Sequence, residues 1–233
     1  MKRLINYVPY FIIVSVIGII ILLNVSSAQP ADGEITETPL IIIDAGHGGM
    51  DGGAVAGDGT PEMHINLDIA LKLDAILKER GYRTLLTRSD NNSIHDESAK
   101  TVREQKVSDI HNRLKIIQDN SHSVFVSVHQ NYYHESRYYG TQVFYSENNP
   151  DSSILAQCIQ TSVVASLQPD NTRKIKPSGE SIYLLYHSTV PSVMVECGFL
   201  SNPEETEKLK NENYRQQMAE AIADGLNNYF ISE

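Results

Sequence analysis

The sequence has only two cysteines, Cys158 and Cys197, too few for a disulfide scaffold in a chain that opens with an apolar export-type segment. Cys158 sits in an apolar helical pattern and Cys197 follows a strand, so two separate buried thiols are expected rather than a bridge. Basic charge is scarce too: 19 Lys and Arg stand against 29 Asp and Glu, a formal net charge of -10. Without Lys2 and Arg3 the balance falls to about -12. No Lys/Arg cluster with interleaved aromatics offsets it, which argues against nucleic acid and other polyanions as partners. No internal repeat is present. Hydrophobic residues at 41% and charged residues at 21% place the chain among ordinary globular proteins.

Lys2 and Arg3 precede an apolar run from Tyr10 to Leu23, broken only by Ser15 and Gly18, which Val8 to Val25 extends to nearly spanning length. At about 15 residues it suits a signal peptide, and at about 18 it can stay as a membrane anchor. Both readings of residues 1–28 stay open; Ser26-Ser27-Ala28 offers a cleavage site, and the aliphatic stretch Ile19 to Leu23 favours retention. Either way the positive end stays inside, so the rest is expected outside the cytoplasm, anchored or secreted. Residues 29–38, polar and with Pro30 and Gly33, read as a linker, leaving 39–233 as one catalytic domain.

Leu40 to Ile43 is a buried-strand pattern running into Asp44-Ala45-Gly46-His47-Gly48-Gly49. Thr60-Pro61-Glu62 then opens a helix, with Thr60 as cap and Ile65, Ile69, Leu73, Ile76 and Leu77 on one face; Gly81 ends it in a left-handed turn. Tyr82 to Leu86 follows as a strand parallel to the first. A helix from about Ala99 to Asp119 places Val107, Ile110, Leu114 and Ile117 together, and Val124 to Val128 is a strand with His129 just past its end. Thr141–Tyr145 and Ile182–Tyr186 are further strand candidates, Ser152–Leu167 and Glu212–Tyr229 further helices, and Val193–Val195 a last buried strand delivering Glu196. The alternation predicts an α/β fold: a single domain with a mostly parallel twisted sheet flanked by helices on both faces.

In such sheets functional groups gather at the carboxyl ends of strands, where His47, His129 and Glu196 are each expected. A catalytic zinc site needs three protein ligands and an open position, and His47, Glu62 and His129 supply two imidazoles and a carboxylate. A lone histidine after a strand is more often a packed residue than a ligand, and Glu62 alone could merely complement a helix dipole; it is the convergence of the set that points to metal. Glu196, carried by a buried strand, is then the candidate general base for amide cleavage. His64, His134 and His187 rank below these, and His95, His111 and His122 read as surface residues.

The segments Ile42 to Gly49, Glu62 to Leu73, Ser127 to Asn131 and Val195 to Asn202 resemble, in order, the signatures of bacterial zinc-dependent N-acetylmuramoyl-L-alanine amidases, over roughly Leu40 to Tyr229. The resemblance places the zinc ligands on His47, Glu62 and His129 and the catalytic acid on Glu196. Arg88 and Arg113 match as well and read as structural. The compact loop after His47, Tyr132-Tyr133 where many relatives carry small residues, and the lack of wall-binding repeats resemble the membrane-associated, germination-specific branch acting on spore cortex. It implies peptidoglycan as substrate, Zn2+ as cofactor, and Asn131 and Arg173 as substrate contacts, and leaves an activating protein partner open. Alternatives are a zinc peptidase cutting within the stem peptide and an inactive membrane-tethered wall-binding protein.

Overall fold

Three short strands with a period of two write the centre of the domain. In β1 (Leu40–Ala45), Ile41, Ile43 and Ala45 point to one side; in β3 (Ser123–Asn131), Val124, Val126 and Val128 do so, and in β6 (Ser192–Phe199), Val193, Val195 and Cys197. The computed structural model describes residues 39–232, so the expected leader 1–28 and linker 29–38 lie outside the described residues. A six-stranded sheet has the order β2-β1-β3-β6-β4-β5, with β2 (Thr84–Leu86), β4 (Gln142–Tyr145) and the two-residue β5 (Lys176–Pro177) completing it. β2, β1, β3 and β6 run parallel; β4 is antiparallel to β6.

The large core lies on the side of those valines. α1 (Glu62–Glu79) brings Ile65, Ile69, Leu73 and Leu77, α3 (Asp151–Ser166) brings Leu155, Ile159 and Val163, and α6 (Glu212–Ser232) brings Met218, Ile222 and Leu226. Each such fully buried side chain contributes roughly 1.5–3 kcal/mol of transfer free energy. The opposite face is covered more thinly. There Ile42 and Phe125 meet Leu114 and Ile117 of α2 (Val102–Gln118) and Leu184 and Leu185 of α4 (Tyr183–His187). α2 starts at a complete capping box between Thr101 and Glu104. α5 (Pro203–Lys210) starts at Asn202, whose side chain accepts from the Glu204 and Glu205 N–H groups.

Helices thus flank a mostly parallel sheet on both faces, as the alternation predicts. Several local expectations are corrected. Ile182–Tyr186 is not a strand: Tyr183–His187 is a helical turn, and the adjacent Leu184 and Leu185 are both buried, which a one-sided strand does not allow. β3 continues through His129 to Asn131, and Glu196 lies inside β6: His129 and Glu196 are registered side by side, and the His129 ring meets the Glu62 carboxylate. Val107 faces solvent. Pro61, not Thr60, is the first cap of α1, and no side chain bonds there. The two thiols are unbridged, Cys197 buried and Cys158 partly so. Among the described residues no helix is long and apolar enough to cross a membrane.

Candidate metal centre and active site

On the thin face the central strands change from apolar to polar toward their carboxyl ends. Ile42, Phe125 and Met194 come first and pack with α2 and α4; one step along each strand stand Asp44, Ser127 and Glu196, and then His129. Asp44 is registered beside Ser127 and His129 beside Glu196, so sheet pairing alone delivers these groups to one place.

His47 follows β1 and has φ 63°, left-handed for a residue with a Cβ, which costs on the order of 1 kcal/mol or more. Two buried arginines hold that conformation. Arg113 of α2 donates to the backbone oxygens of Ala45 (2.8 Å) and His47 (2.7 Å) while its guanidinium pairs with Asp44 and with Asp109 (2.8 Å). Arg88 donates to the oxygens of Ala45 (2.8 Å), Gly46 (2.9 Å) and Met63 (2.9 Å), tying the His47 loop to the first turn of α1. These arginines are structural, and what they structure is the site. Burial alone would raise the Asp44 carboxyl, but Arg113 and hydrogen bonds from Ser127 and Thr87 hold it down at about 2.

The imidazole of His47 is aimed by Asp51, whose Oδ2 lies 2.8 Å from Nδ1, and Lys106 of α2 in turn anchors Asp51 at 2.8 Å. That leaves Nε2 of His47 facing Glu62 Oε2 at 3.2 Å. Burial would lower the His47 pKa, yet hydrogen bonds to Asp51 and Glu62 raise it to about 9. Glu62 is buried at the first turn of α1 and its carboxylate is oriented by N–H donors: Ala54 (2.9 Å) on Oε2, and Gln130 (3.0 Å) and Asn66 (3.0 Å) on Oε1. The Gln130 N–H is free to do this because the β3–β6 register shifts between His129 and Asn131. His129 Nδ1 lies 2.9 Å from the same Oε1, and despite burial the two histidines hold the Glu62 carboxyl well below the usual range.

One ligand atom from each of His47, Glu62 and His129 falls within 4.8 Å of the others. Two imidazoles and a pre-oriented carboxylate are a donor set that suits zinc. The packing around them leaves no slack: a Cβ on Gly46 would lie 2.3 Å from the His129 ring, and one on Gly53, at φ 70°, would lie 2.5 Å from Glu62 Oε2 and 2.7 Å from the His47 ring.

Glu196 stands beside this set. Its Oε2 is buried with no hydrogen-bond partner, a costly state for a carboxylate without a task. Burial, and to a lesser degree the nearby Glu62 charge, pushes its pKa up to about 7. A cleft of about 300 Å³ opens from His47 and His129 between α2 and α4, over Met194 and past Lys106 and Tyr183. Asn131 ends β3, two residues beyond His129, and its backbone oxygen accepts from Leu200. Arg173 is not in the cluster; it lies near β4, donating to the Tyr139 oxygen (2.7 Å) and to Gln142 (3.1 Å), the residue registered beside Glu196. His64 bonds Asn91 instead of the site. Sequence reading missed Asp51; the signal was a carboxylate four residues from His47 in a loop too Gly-rich for a helix.

Residues 41–228 match the family model described as N-acetylmuramoyl-L-alanine amidase. The germination-specific N-acetylmuramoyl-L-alanine amidase of Bacillus subtilis is 32% identical over 194 residues, 83% of this chain and 81% of that one. The CwlD amidase from Clostridioides difficile, solved in complex with the GerS lipoprotein, is 41% identical with a TM-score of 0.81, covering 84% of this chain and 100% of that one. The AmiC2 amidase of Nostoc punctiforme is 28% identical with a TM-score of 0.71, over 83% and 98%.

Proposed function

The chain belongs to the N-acetylmuramoyl-L-alanine amidase family, and from that premise we propose a zinc enzyme of the spore cortex in which His47, Glu62 and His129 hold the ion and Glu196 is the general base. Its reaction is hydrolysis of the amide between the muramic lactyl group and L-alanine of peptidoglycan, which releases the stem peptide. The observation that carries the assignment of roles is Glu196: an unpartnered, buried carboxyl oxygen registered beside His129.

When bound, zinc supplies Lewis-acid chemistry, polarising the amide carbonyl and making water a competent nucleophile near neutral pH. Glu196 takes the proton of the attacking water at Oε2 and delivers it to the leaving nitrogen of L-alanine. Asp51 keeps Nε2 of His47 pointed at Glu62, where the two would hold an ion together, and the N–H groups of Ala54, Gln130 and Asn66 stop the Glu62 carboxylate from rotating away. Asn131 and Arg173 are assigned to substrate, Asn131 at the end of the His129 strand and Arg173 on the β4 side.

The cortex assignment is supported by likeness to the germination-specific amidase of B. subtilis and to CwlD. Because CwlD was solved with a lipoprotein, an activating protein partner belongs to the proposal. The enzyme acts on the wall side of the membrane, brought there by residues 1–28, cleaved or retained as an anchor. Mass analysis of digested cortex fragments tests the bond: free N-terminal alanine with unsubstituted lactyl carboxylates is expected, whereas new amino groups only within the stem would make the enzyme a peptidase. No release of fragments by zinc-loaded protein would leave a wall-binding role.

A further inference from the structure

Directly beyond the strand ends that carry His129 and Glu196, residues 132–139 form a surface rich in tyrosine. Tyr132, Tyr133 and Tyr139 are 53%, 44% and 52% exposed, a concentration of apolar ring area on the surface. Tyr133 belongs to a row of rings that runs back to β6. His134 lies 4.3 Å from Tyr133, Tyr133 5.0 Å from Tyr138, and Tyr138 6.2 Å from Phe199, which is three residues past Glu196 on β6. The guanidinium of Arg173 sits 4.5 Å over Phe199 and that of Arg137 5.3 Å over Tyr138.

This loop is tied in place. The Tyr133 N–H donates to Ser201 Oγ (3.1 Å), Asn202 donates to the Tyr138 oxygen (3.2 Å), and the Gly140 N–H donates to the buried Glu205 carboxylate (2.8 Å). The local charge also runs against the rest of the chain. In a protein of net charge -10, Arg137 and Arg173 border one groove with Tyr138 and Tyr139, and Glu135, paired to Arg137 at 2.7 Å, is the acid within residues 132–139.

The substrate has two arms that diverge at the scissile amide, a peptide and a glycan. We propose that the tyrosine and arginine surface is a glycan subsite: Tyr132 and Tyr133 stack on sugar rings next to the residue being cut, and Arg173 and Arg137 pair with lactyl carboxylates already freed of their peptides. The assignment rests on the amidase reading above. Pyranose C–H faces pack well on aromatic rings, and a guanidinium suits a carboxylate in a half-exposed setting. The glycan product then stays bound after each cleavage, which favours removal of successive stem peptides from one strand. The cleft between α2 and α4 is left for the peptide arm.

The test is binding without turnover, using the full-length chain in detergent. One probe is glycan strands stripped of peptide by an independent amidase, which carry free lactyl carboxylates; the other is neutral chitin oligomers of matched length. Wild-type protein should bind both, the stripped strands more tightly and with a steep salt dependence. Tyr133→Ala and Tyr132→Ala should weaken both about tenfold, and the ring-retaining Phe variants should not. Arg173→Gln should weaken only the stripped strands and flatten their salt dependence. Melting temperatures of the variants exclude loss of fold. Wild-type binding to neither probe, or unchanged binding by both Tyr→Ala variants and Arg173→Gln, overturns the subsite. Failure of the amidase reading shows separately, as no stem peptide released from intact peptidoglycan.

Discussion

Replacing Arg113 by Lys keeps a positive charge beside Asp44 but removes the fork that reaches two backbone oxygens at once. A lysine ammonium can satisfy Asp44 or the loop, not both, so the partly buried His47 carbonyl loses the Arg113 donor and the buried Ala45 carbonyl is left with Arg88 alone. Two hydrogen bonds from a charged donor are worth about 1.5–3 kcal/mol each in such a setting, and water entering the gap recovers part of that. The net loss expected is about 2–4 kcal/mol, or roughly 5–15 °C in melting temperature for a domain of this size. The more telling effect is on the metal. His47 is held at φ 63° against a local preference for negative φ, so the freed loop relaxes and the imidazole leaves its aim. Zinc affinity should fall on the order of 10- to 100-fold, the usual scale for losing an outer support of a ligand. Competitive zinc titration on folded Arg113→Lys protein measures this. Wild-type affinity in a variant with a lowered melting temperature would refute the claim that Arg113 positions His47.

Three further outcomes follow from the same geometry. Asp44 titrates at about 2 in the fold against an ordinary 3.8, so its contribution, on the order of 2 kcal/mol, is fully present above pH 4 and is lost as pH falls through 2; in acid titrations followed by circular dichroism, Asp44→Asn should be less stable at neutral pH and flatter across that window. Gly46→Ala places a Cβ 2.3 Å from the His129 ring, so zinc content should fall sharply while the fold survives; full occupancy would show that the ring has room to move. Asp51→Asn keeps a hydrogen-bonding side chain near His47 but loses the charge, and zinc binding should weaken less than with Arg113→Lys and lose the contribution of Lys106, as a Lys106→Ala double-mutant cycle would measure.

The sequence made the sheet legible where one face is apolar: Ile41, Ile43, Val124, Val126, Val193 and Val195 follow a strict alternation into the large core. It was less legible on the thin face, where the strands change character. His129 and Glu196 read as residues past strand ends because polar side chains inside a strand are improbable until their setting is known, and that setting comes from Glu62 of α1 beside His129 and from the β3–β6 register. Ile182 to Tyr186 is apolar and short, a pattern that fits a strand or a buried turn of helix equally, and only the packing of both Leu184 and Leu185 against Phe125 decides it. The clustering of His47, Glu62 and His129 was suggested by residue type and context. The arginine clamp, the Asp51 support and the bulge that frees the Gln130 N–H were not, since each depends on contacts between segments far apart in sequence.

The central claim separates three residues that hold zinc from one that moves a proton, and Glu196→Gln tests it most directly. The side chain keeps its size, and its buried, unpartnered position beside His129 asks little of a neutral amide. Zinc content and rate of stem-peptide release are measured on the same preparation of the variant. Zinc should be retained at the wild-type level while turnover falls on the order of 100-fold or more. Retained turnover would show that Glu196 is not the base, and an inactive variant without zinc would make Glu196 a ligand and contradict the division of roles.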